Sequence, residues 1–317
     1  MSQRTLIYPV FLPMRGCKHR CIYCDQTKIS GGSDFDLAIE LANVARFVNN
    51  HKGEAKEIAF YGSSFTAMPV DYINSLLQEF NRVIDKHTTY RISTHPLSIN
   101  SHVLINCKQQ NIGCIELGIQ DFCDEVLAAA QRGYPGKIAL EAALAVREQG
   151  FKLGVQLMPG MPGSNSASII HNQNILRQLK PDYLRLYPLV VIHGTPLADL
   201  YKMKEYCPLT LNEAIDICAD YVEIAVAEGI TVIKLGLPSN LSLKDVVAGP
   251  FHPSFGEFVK AELLVRGILQ KLREDKEIIL DKKSRLLLMG HKGKYRTTLI
   301  ERLENCSLDV QAISHIL

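Results

Sequence analysis

A chain of 317 residues with 47% apolar and 21% charged side chains has the mixture of an ordinary globular protein. That excludes disorder, collagen-like repeats and a disulfide-stapled miniprotein as overall descriptions, and allows one large domain or two ordinary ones. Thirty-five basic against 33 acidic residues leave a formal charge of +2, so no global field points to nucleic acid or to a membrane surface.

The run at 6–14 is interrupted by Pro9 and Pro13 and no small-residue cleavage site follows it, so it does not read as a signal peptide. Nowhere is there an apolar run near the ~18 residues that a spanning helix needs. The expectation is a cytoplasmic protein with no membrane contact. In chain order, β-rich runs lie at 6–11, 57–61, 90–93, 114–119, 152–157 and 183–187. Helical patterns fall between them, near 36–50, 70–86, 98–111, 123–149 and 167–179, with Gly, Pro, Asn or Asp at nearly every junction. Six such β–α units imply parallel strands with right-handed crossovers, an α/β architecture curled into a barrel or part of one. Active sites of such barrels sit at the C-terminal ends of the strands.

A helix near 210–228 and a seventh apolar run at 230–235 come next. After the Gly/Pro-rich stretch 236–256 the texture changes. A helix near 257–274, strands near 277–280 and 285–289, and a helix near 295–305 predict a small C-terminal α+β extension. The division falls at 1–235 for the partial barrel and 236–317 for the extension.

The nine cysteines are distributed unevenly. An odd count without an export signal argues against a disulfide framework. Cys17, Cys21 and Cys24 crowd into one loop after the first strand, whereas Cys107, Cys114, Cys123, Cys207, Cys218 and Cys306 are scattered, and most of these read as small hydrophobes. Three thiolates at C-x3-C-x2-C spacing can surround a soft metal centre. Structural zinc takes four ligands, and only His19 is near enough in sequence to be the fourth. An iron–sulfur cubane held by three cysteines instead leaves one iron open to a ligand, and the ligand count favours it.

With Tyr23 before its last cysteine, this loop resembles the signature of the radical S-adenosylmethionine (SAM) superfamily. The resemblance implies a 4Fe-4S cluster on Cys17, Cys21 and Cys24, with SAM on the open iron and an external one-electron reductant. Reductive cleavage of the sulfonium C–S bond would then give a 5′-deoxyadenosyl radical, chemistry that the cofactor carries and the protein positions. Tyr23 would pack beside the cluster. Gly62-Ser63-Ser64, after the second strand, stands where the superfamily has a Gly-Gly-Glu-like segment whose backbone receives the ammonium of SAM. Close backbone approach is a physical reason for glycine there.

Further segments follow in order: Thr94-His95-Pro96-Leu97, Glu116 to Gln120, Gln131 to Tyr134, Gln156 to Gly163, and Arg185 to Pro188. Their order and spacing resemble the radical domain of the Elongator catalytic subunit and its short bacterial relatives, over roughly 5–237. His95 and Leu97 replace the Arg and Asp of the usual Thr-Arg-Pro-Asp, and no acetyltransferase domain is expected.

Glu116 could bond the ribose hydroxyls or ammonium of SAM, or serve in a salt bridge. Arg132 and Arg185 could clamp its carboxylate bidentately, or join loops as ion pairs. Gln156, His193, His252 and Lys234 are weaker candidates for contacts. Lys282, Lys283, Arg285, Lys292, Lys294 and Arg296, with Tyr295 among them, fall in fifteen residues free of Asp and Glu. Such a segment can track phosphates or simply be a solvated face. The expected function is a radical SAM enzyme that modifies a nucleoside in tRNA or other RNA. The alternatives are radical chemistry on a small molecule such as a tetrapyrrole, and a catalytically silent metal scaffold. Against the tetrapyrrole alternative, the Tyr-x-His-x-Pro lead-in of the oxygen-independent coproporphyrinogen oxidases is missing.

Overall fold

The computed structural model describes residues 5–17, 20–29, 35–238, 241–274, 278 and 280–305. Its strands are β1 (Leu6–Phe11), β2 (Lys56–Tyr61), β3 (Thr88–Thr94), β4 (Ile112–Gln120), β5 (Lys152–Leu157), β6 (Tyr183–Leu186), β7 (Val191–Ile192), β8 (Thr231–Leu235) and β9 (Val246–Ala248). Seven of them form one sheet in the order β1-β2-β3-β4-β5-β6-β8, every pair parallel. A parallel sheet that always steps the same way through right-handed crossovers carries its helices on one face and curls around the other. This is the α/β partial barrel that the alternation predicts, and the seventh apolar run closes it as β8. β7 and β9 pair antiparallel as a separate ribbon.

Side chains on each strand alternate between the two faces. Ile58, Phe60, Ile92, Leu117, Val155 and Leu184 are buried in the main apolar core beneath the helices. The alternate positions Glu57, Arg91, Glu116, Gln156 and Arg185 face the concave interior. Local chemistry fixes the helix starts. Asp36 accepts from Ile39 N at the head of Leu37–Asn50, and Asn165 with Ser168, and Thr210 with Glu213, close capping boxes on Ser166–Leu179 and Leu211–Ala227.

Beyond β9, the helix Phe255–Arg273 packs on Leu211–Ala227 and on β8, and its Phe258, Val259 and Val265 join the main core. Lys282–Asn305 packs on that helix in turn. Two sequence expectations are corrected here. The strand expected at 285–289 is helical, because a short run such as Leu286-Leu287-Leu288-Met289 has no period of its own to separate strand from helix. The single helix expected at 123–149 is two, Asp124–Ala129 and Gly136–Glu148, parted by positive φ at Gln131 and Gly133 and by Pro135. Of the strand expected at 277–280, residues 277 and 279 lie outside the described residues. Among the described residues no helix is long and apolar enough to cross a membrane.

Candidate active site at the strand C-terminal ends

The cysteine loop leaves β1 and is stitched at once to the segment after β2. Leu12 N donates to Tyr61 O at 2.9 Å, Met14 N to Gly62 O at 2.9 Å, and Ser64 N to Arg15 O at 3.0 Å. Gly16 sits at φ +72°, where a side chain would run into the carbonyl oxygen of Ser64 and lie 3.0 Å from Met68 Cγ. Only glycine lets the chain pass there. Gly62, at φ +78°, makes the matching turn. Gly62-Ser63-Ser64 is therefore held against the cysteine loop. Ser64 Oγ accepts from His95 N at 3.2 Å, while the buried Oγ of Ser63 has no hydrogen-bond partner among the described residues.

Ile22 and Tyr23 anchor the loop in a second apolar cluster with Met158, Met161, Leu189, Val191 and Leu197, and Cys21 and Cys24 pack against it. Burial pushes the Cys24 thiol up to about 12, with Cys21 adding to the rise. Cys17 is raised by burial and then by Cys21. With both raised, Cys17 and Cys24 ionise readily only onto a cation. Among the described residues no three His, Cys, Asp or Glu side chains converge at the spacing of one metal ion. His19, the candidate fourth ligand for zinc, lies outside the described residues. A loop of three mutually coupled thiols with apolar walls fits a multi-iron cluster better than a tetrahedral zinc site. Two donors already point at sulfur: Arg132 Nη1 at 2.9 Å from Cys21 Sγ, and Gln26 Nε2 at 3.4 Å from Cys24 Sγ. Such hydrogen bonds tune iron–sulfur clusters.

Arg132 is 4% exposed. Its guanidinium also donates to Tyr23 Oη at 3.3 Å, to Tyr134 Oη at 3.1 Å and to the carbonyl of Gly118. Tyr134 is fixed by its own bond to Ile119 O at 2.8 Å and by the edge-on ring of His95, 4.9 Å away. Among the described residues no carboxylate pairs with Arg132. A buried cation left without an anion costs several kcal/mol.

Glu116 lies within β4, not at its end, and its carboxylate is already engaged. It accepts from Tyr61 Oη at 3.0 Å, from Arg91 Nη1 at 2.9 Å, and from Arg185 through Nη2 at 3.0 Å and through Nε. Arg91 also pairs with Glu57 at 2.6 Å. Burial pushes the Glu116 carboxyl up, but Arg185 and Arg91 outweigh it and hold the group below the ordinary glutamate value. Arg91 and Arg185 lie over the rings of Tyr183 and Tyr61 at 4.4 and 4.8 Å. Gly154 stands opposite Glu116 on β5, and a Cβ there would come within 2.6 Å of Glu116 Cγ. Arg91, Tyr61, Tyr134, Gly16 and Gly154 carry much of this site and were not singled out by sequence. A charged residue inside the strand run Tyr90-Arg91-Ile92-Ser93 was the available signal for one of them.

Gln156 donates to Gln120 at 3.0 Å inside the barrel, and Lys234 stands beside Arg185 on β8. His193 is exposed, with Lys28 Nζ on its carbonyl at 2.6 Å, and His252 stacks on Phe258, 4.5 Å between centroids. Cys107, Cys114 and Cys218 are buried, Cys123 and Cys207 are not, and Cys306 lies outside the described residues. In the basic segment Tyr295 is buried and Lys294 turns back to Asn212 and Phe258, while Lys282, Lys283, Arg285, Lys292 and Arg296 are exposed.

A family model described as the radical SAM superfamily matches residues 11–172, and one for a radical SAM C-terminal domain matches 181–264. The tRNA uridine(34) acetyltransferase of Methanocaldococcus jannaschii is 30% identical over 173 residues, 52% of this chain and 30% of that protein. Human Elongator complex protein 3 is 26% identical over 190 residues, 52% of this chain and 35% of that one. The heme chaperone HemW of Bacillus subtilis is 24% identical over 183 residues, 55% and 48%. The chain thus spans between about a third and a half of the length of these curated relatives. The structure of Methanocaldococcus infernus Elp3 lacking its N-terminus superposes with a TM-score of 0.66 at 19% identity, over 89% of this chain and 70% of that one. The radical SAM superfamily uses a 4Fe-4S cluster and SAM, and with the superfamily model covering half of its length, on a parallel half-barrel with a three-cysteine loop after β1, this chain belongs to the radical SAM superfamily.

Proposed function

We propose that the chain is a radical SAM enzyme that modifies a nucleoside in tRNA or another structured RNA, in the cytoplasm and with an external one-electron donor. Residues 1–235 form its radical-generating barrel, and 236–317 form an extension that engages substrate. Cys17, Cys21 and Cys24 hold the 4Fe-4S cluster. Once bound, the cluster and SAM supply reductive C–S cleavage and a 5′-deoxyadenosyl radical. The remaining work belongs to the chain. Tyr23 walls the cluster off from water, Gly62, Ser63 and Ser64 present backbone to the ammonium of SAM, and Arg132 receives its carboxylate. Glu116 and Arg185, locked to each other, border SAM from the barrel interior.

The observation that carries this reading is Arg132: a buried guanidinium, one nitrogen already on Cys21 Sγ, with no carboxylate among the described residues to balance it. An anion belongs there, and the carboxylate of SAM beside three thiolates meets that need. The RNA assignment draws on likeness to relatives that include a tRNA uridine(34) acetyltransferase, and on the exposed cations of 282–296. The test is anaerobic reconstitution followed by assay with deuterated tRNA. Deuterium in 5′-deoxyadenosine supports the reading. SAM cleavage that never takes hydrogen from any RNA, but does from a tetrapyrrole, would replace it with the small-molecule alternative.

A further inference from the structure

The helical stretch Lys282–Asn305 is interrupted at residues 290–293, Gly-His-Lys-Gly. His291, Lys292 and Gly293 take φ values of +51°, +61° and +75° in succession, and this turn joins one helix to the next. The geometry accounts for glycine at 293. It does not account for glycine at 290, which has φ −61° and ψ 165°, a conformation open to any residue. A Cβ at Gly290 would meet nothing within 4 Å. Its bareness serves no contact among the described residues, and it leaves the backbone open to close approach.

Just before the turn, a cavity of about 410 Å³ is lined by Leu280, Lys282, Arg285, Leu286 and Met289. Leu286 is 63% and Met289 48% exposed, so two large apolar side chains face solvent between two cations. After the turn Arg296 is exposed as well, and the whole span 282–296 carries no acid. The turn itself is braced from below. His291 Nε2 meets Glu257 Oε2 at 3.0 Å and its ring packs on Phe258 at 4.4 Å, while Lys294 Nζ reaches Asn212 at 3.1 Å and Tyr295 is buried. Asn212 opens the barrel helix Leu211–Ala227, so the turn has a fixed seat on the barrel.

We infer that this helix–turn–helix binds a short single-stranded segment of RNA, with phosphates along 290–293 and bases in the Leu280–Leu286–Met289 cleft. The inference rests on the RNA reading above and names the element that would serve it. Successive backbone N–H groups of a left-handed turn form a concavity for anions, and Lys292 and Arg296 add charge. A Gly-x-x-Gly turn between two helices is a known way to clamp a nucleic-acid backbone. An apolar cleft rimmed by cations accepts base faces without regard to sequence, and only an unpaired strand can offer them.

The experiment uses the whole protein with a fluorescein-labelled single-stranded RNA octamer and with bulk tRNA, by anisotropy between about 50 and 200 mM salt. Gly290→Val places its side chain in open space, so the thermal midpoint should hold while octamer affinity falls by roughly tenfold. Lys292→Glu should weaken both RNAs and flatten the salt slope by about one. Leu286→Glu should weaken the octamer, and if Gly290→Val proves unstable, these two exposed positions decide. Release of 5′-deoxyadenosine without RNA should be unchanged in all three, since none touches the cysteine loop. Wild-type binding with every variant equal to it overturns the inference and leaves the RNA reading standing. No wild-type binding of either RNA overturns both.

Discussion

Replacing Glu116 by Gln tests whether the charge network inside the barrel is held by that one carboxylate. The group receives four donor contacts, from Tyr61, Arg91 and Arg185. Glutamine keeps the shape and one acceptor oxygen but turns an amide NH2 toward donors. Arg91 retains Glu57 at 2.6 Å, so most of the loss falls on Arg185, whose one carboxylate partner among the described residues is Glu116. Breaking a buried pair from one side costs ~3–5 kcal/mol, and the surviving Arg91–Glu57 pair places this case near ~3. At a urea m-value of about 3 kcal/mol/M the midpoint should drop by about 1 M, with m unchanged. The difference has a pH signature. With its folded value depressed, Glu116 stabilises fully above the ordinary glutamate value of 4.5 and loses that contribution as pH falls toward the folded value. The gap between wild type and Glu116→Gln should therefore be flat at neutral pH and narrow below about 4.5. Adding Arg185→Met removes the stranded cation and should recover at least half of the loss. A single variant within about 0.5 kcal/mol of wild type, or a double variant no better than the single, would refute the reasoning.

Four further outcomes are expected. Serine at Cys17, Cys21 or Cys24 should abolish retention of about four irons per chain after anaerobic reconstitution, whereas Cys107→Ser and Cys207→Ser should retain them, because a hydroxyl is a poor ligand for iron. Gly16→Ala should lower iron retention without unfolding the barrel, since its Cβ meets the Ser64 carbonyl and its φ is +72°; an alanine variant with full iron would count against that turn. Arg132→Lys should keep the charge but lose the fork that reaches Cys21, Tyr23 and Gly118 together, and SAM affinity by calorimetry should fall by about tenfold or more. Gly154→Ala should destabilise by ~1–3 kcal/mol through overpacking against Glu116, and Glu116→Gln should not rescue it, because the clash is with Cγ.

The barrel was legible because short β-rich runs bounded by Gly, Pro, Asn or Asp alternate with helical patterns, which is how units of a parallel sheet read. The cysteine loop was legible because its three ligands are local in sequence. What was not legible is what depends on distant partners. Glu116 read as a carboxylate for SAM or for a salt bridge with no partner named, and the partners Arg91 and Arg185 arrive from β3 and β6, 25 residues before it and 69 after it. Nothing in the chain near Arg132 says that it reaches Cys21, 111 residues away. The run at 285–289 misled for the opposite reason. Its residues are apolar whichever way the backbone turns, and the helix Phe255–Arg273 that receives Leu288 decides the matter.

The barrel thus holds two charge environments with different tasks. In its interior Glu57 and Glu116 balance Arg91 and Arg185, so the network sums to zero and every charge has its partner. A neutral, fully bonded network contributes rigidity and little net field to whatever lies at the strand ends. At the strand ends the walls are apolar and the buried cation is Arg132, its positive charge balanced by no side-chain carboxylate among the described residues. Fields in such surroundings are screened far less than in water. The same guanidinium, already 2.9 Å from Cys21 Sγ, therefore attracts a carboxylate from outside, the place proposed for that of SAM.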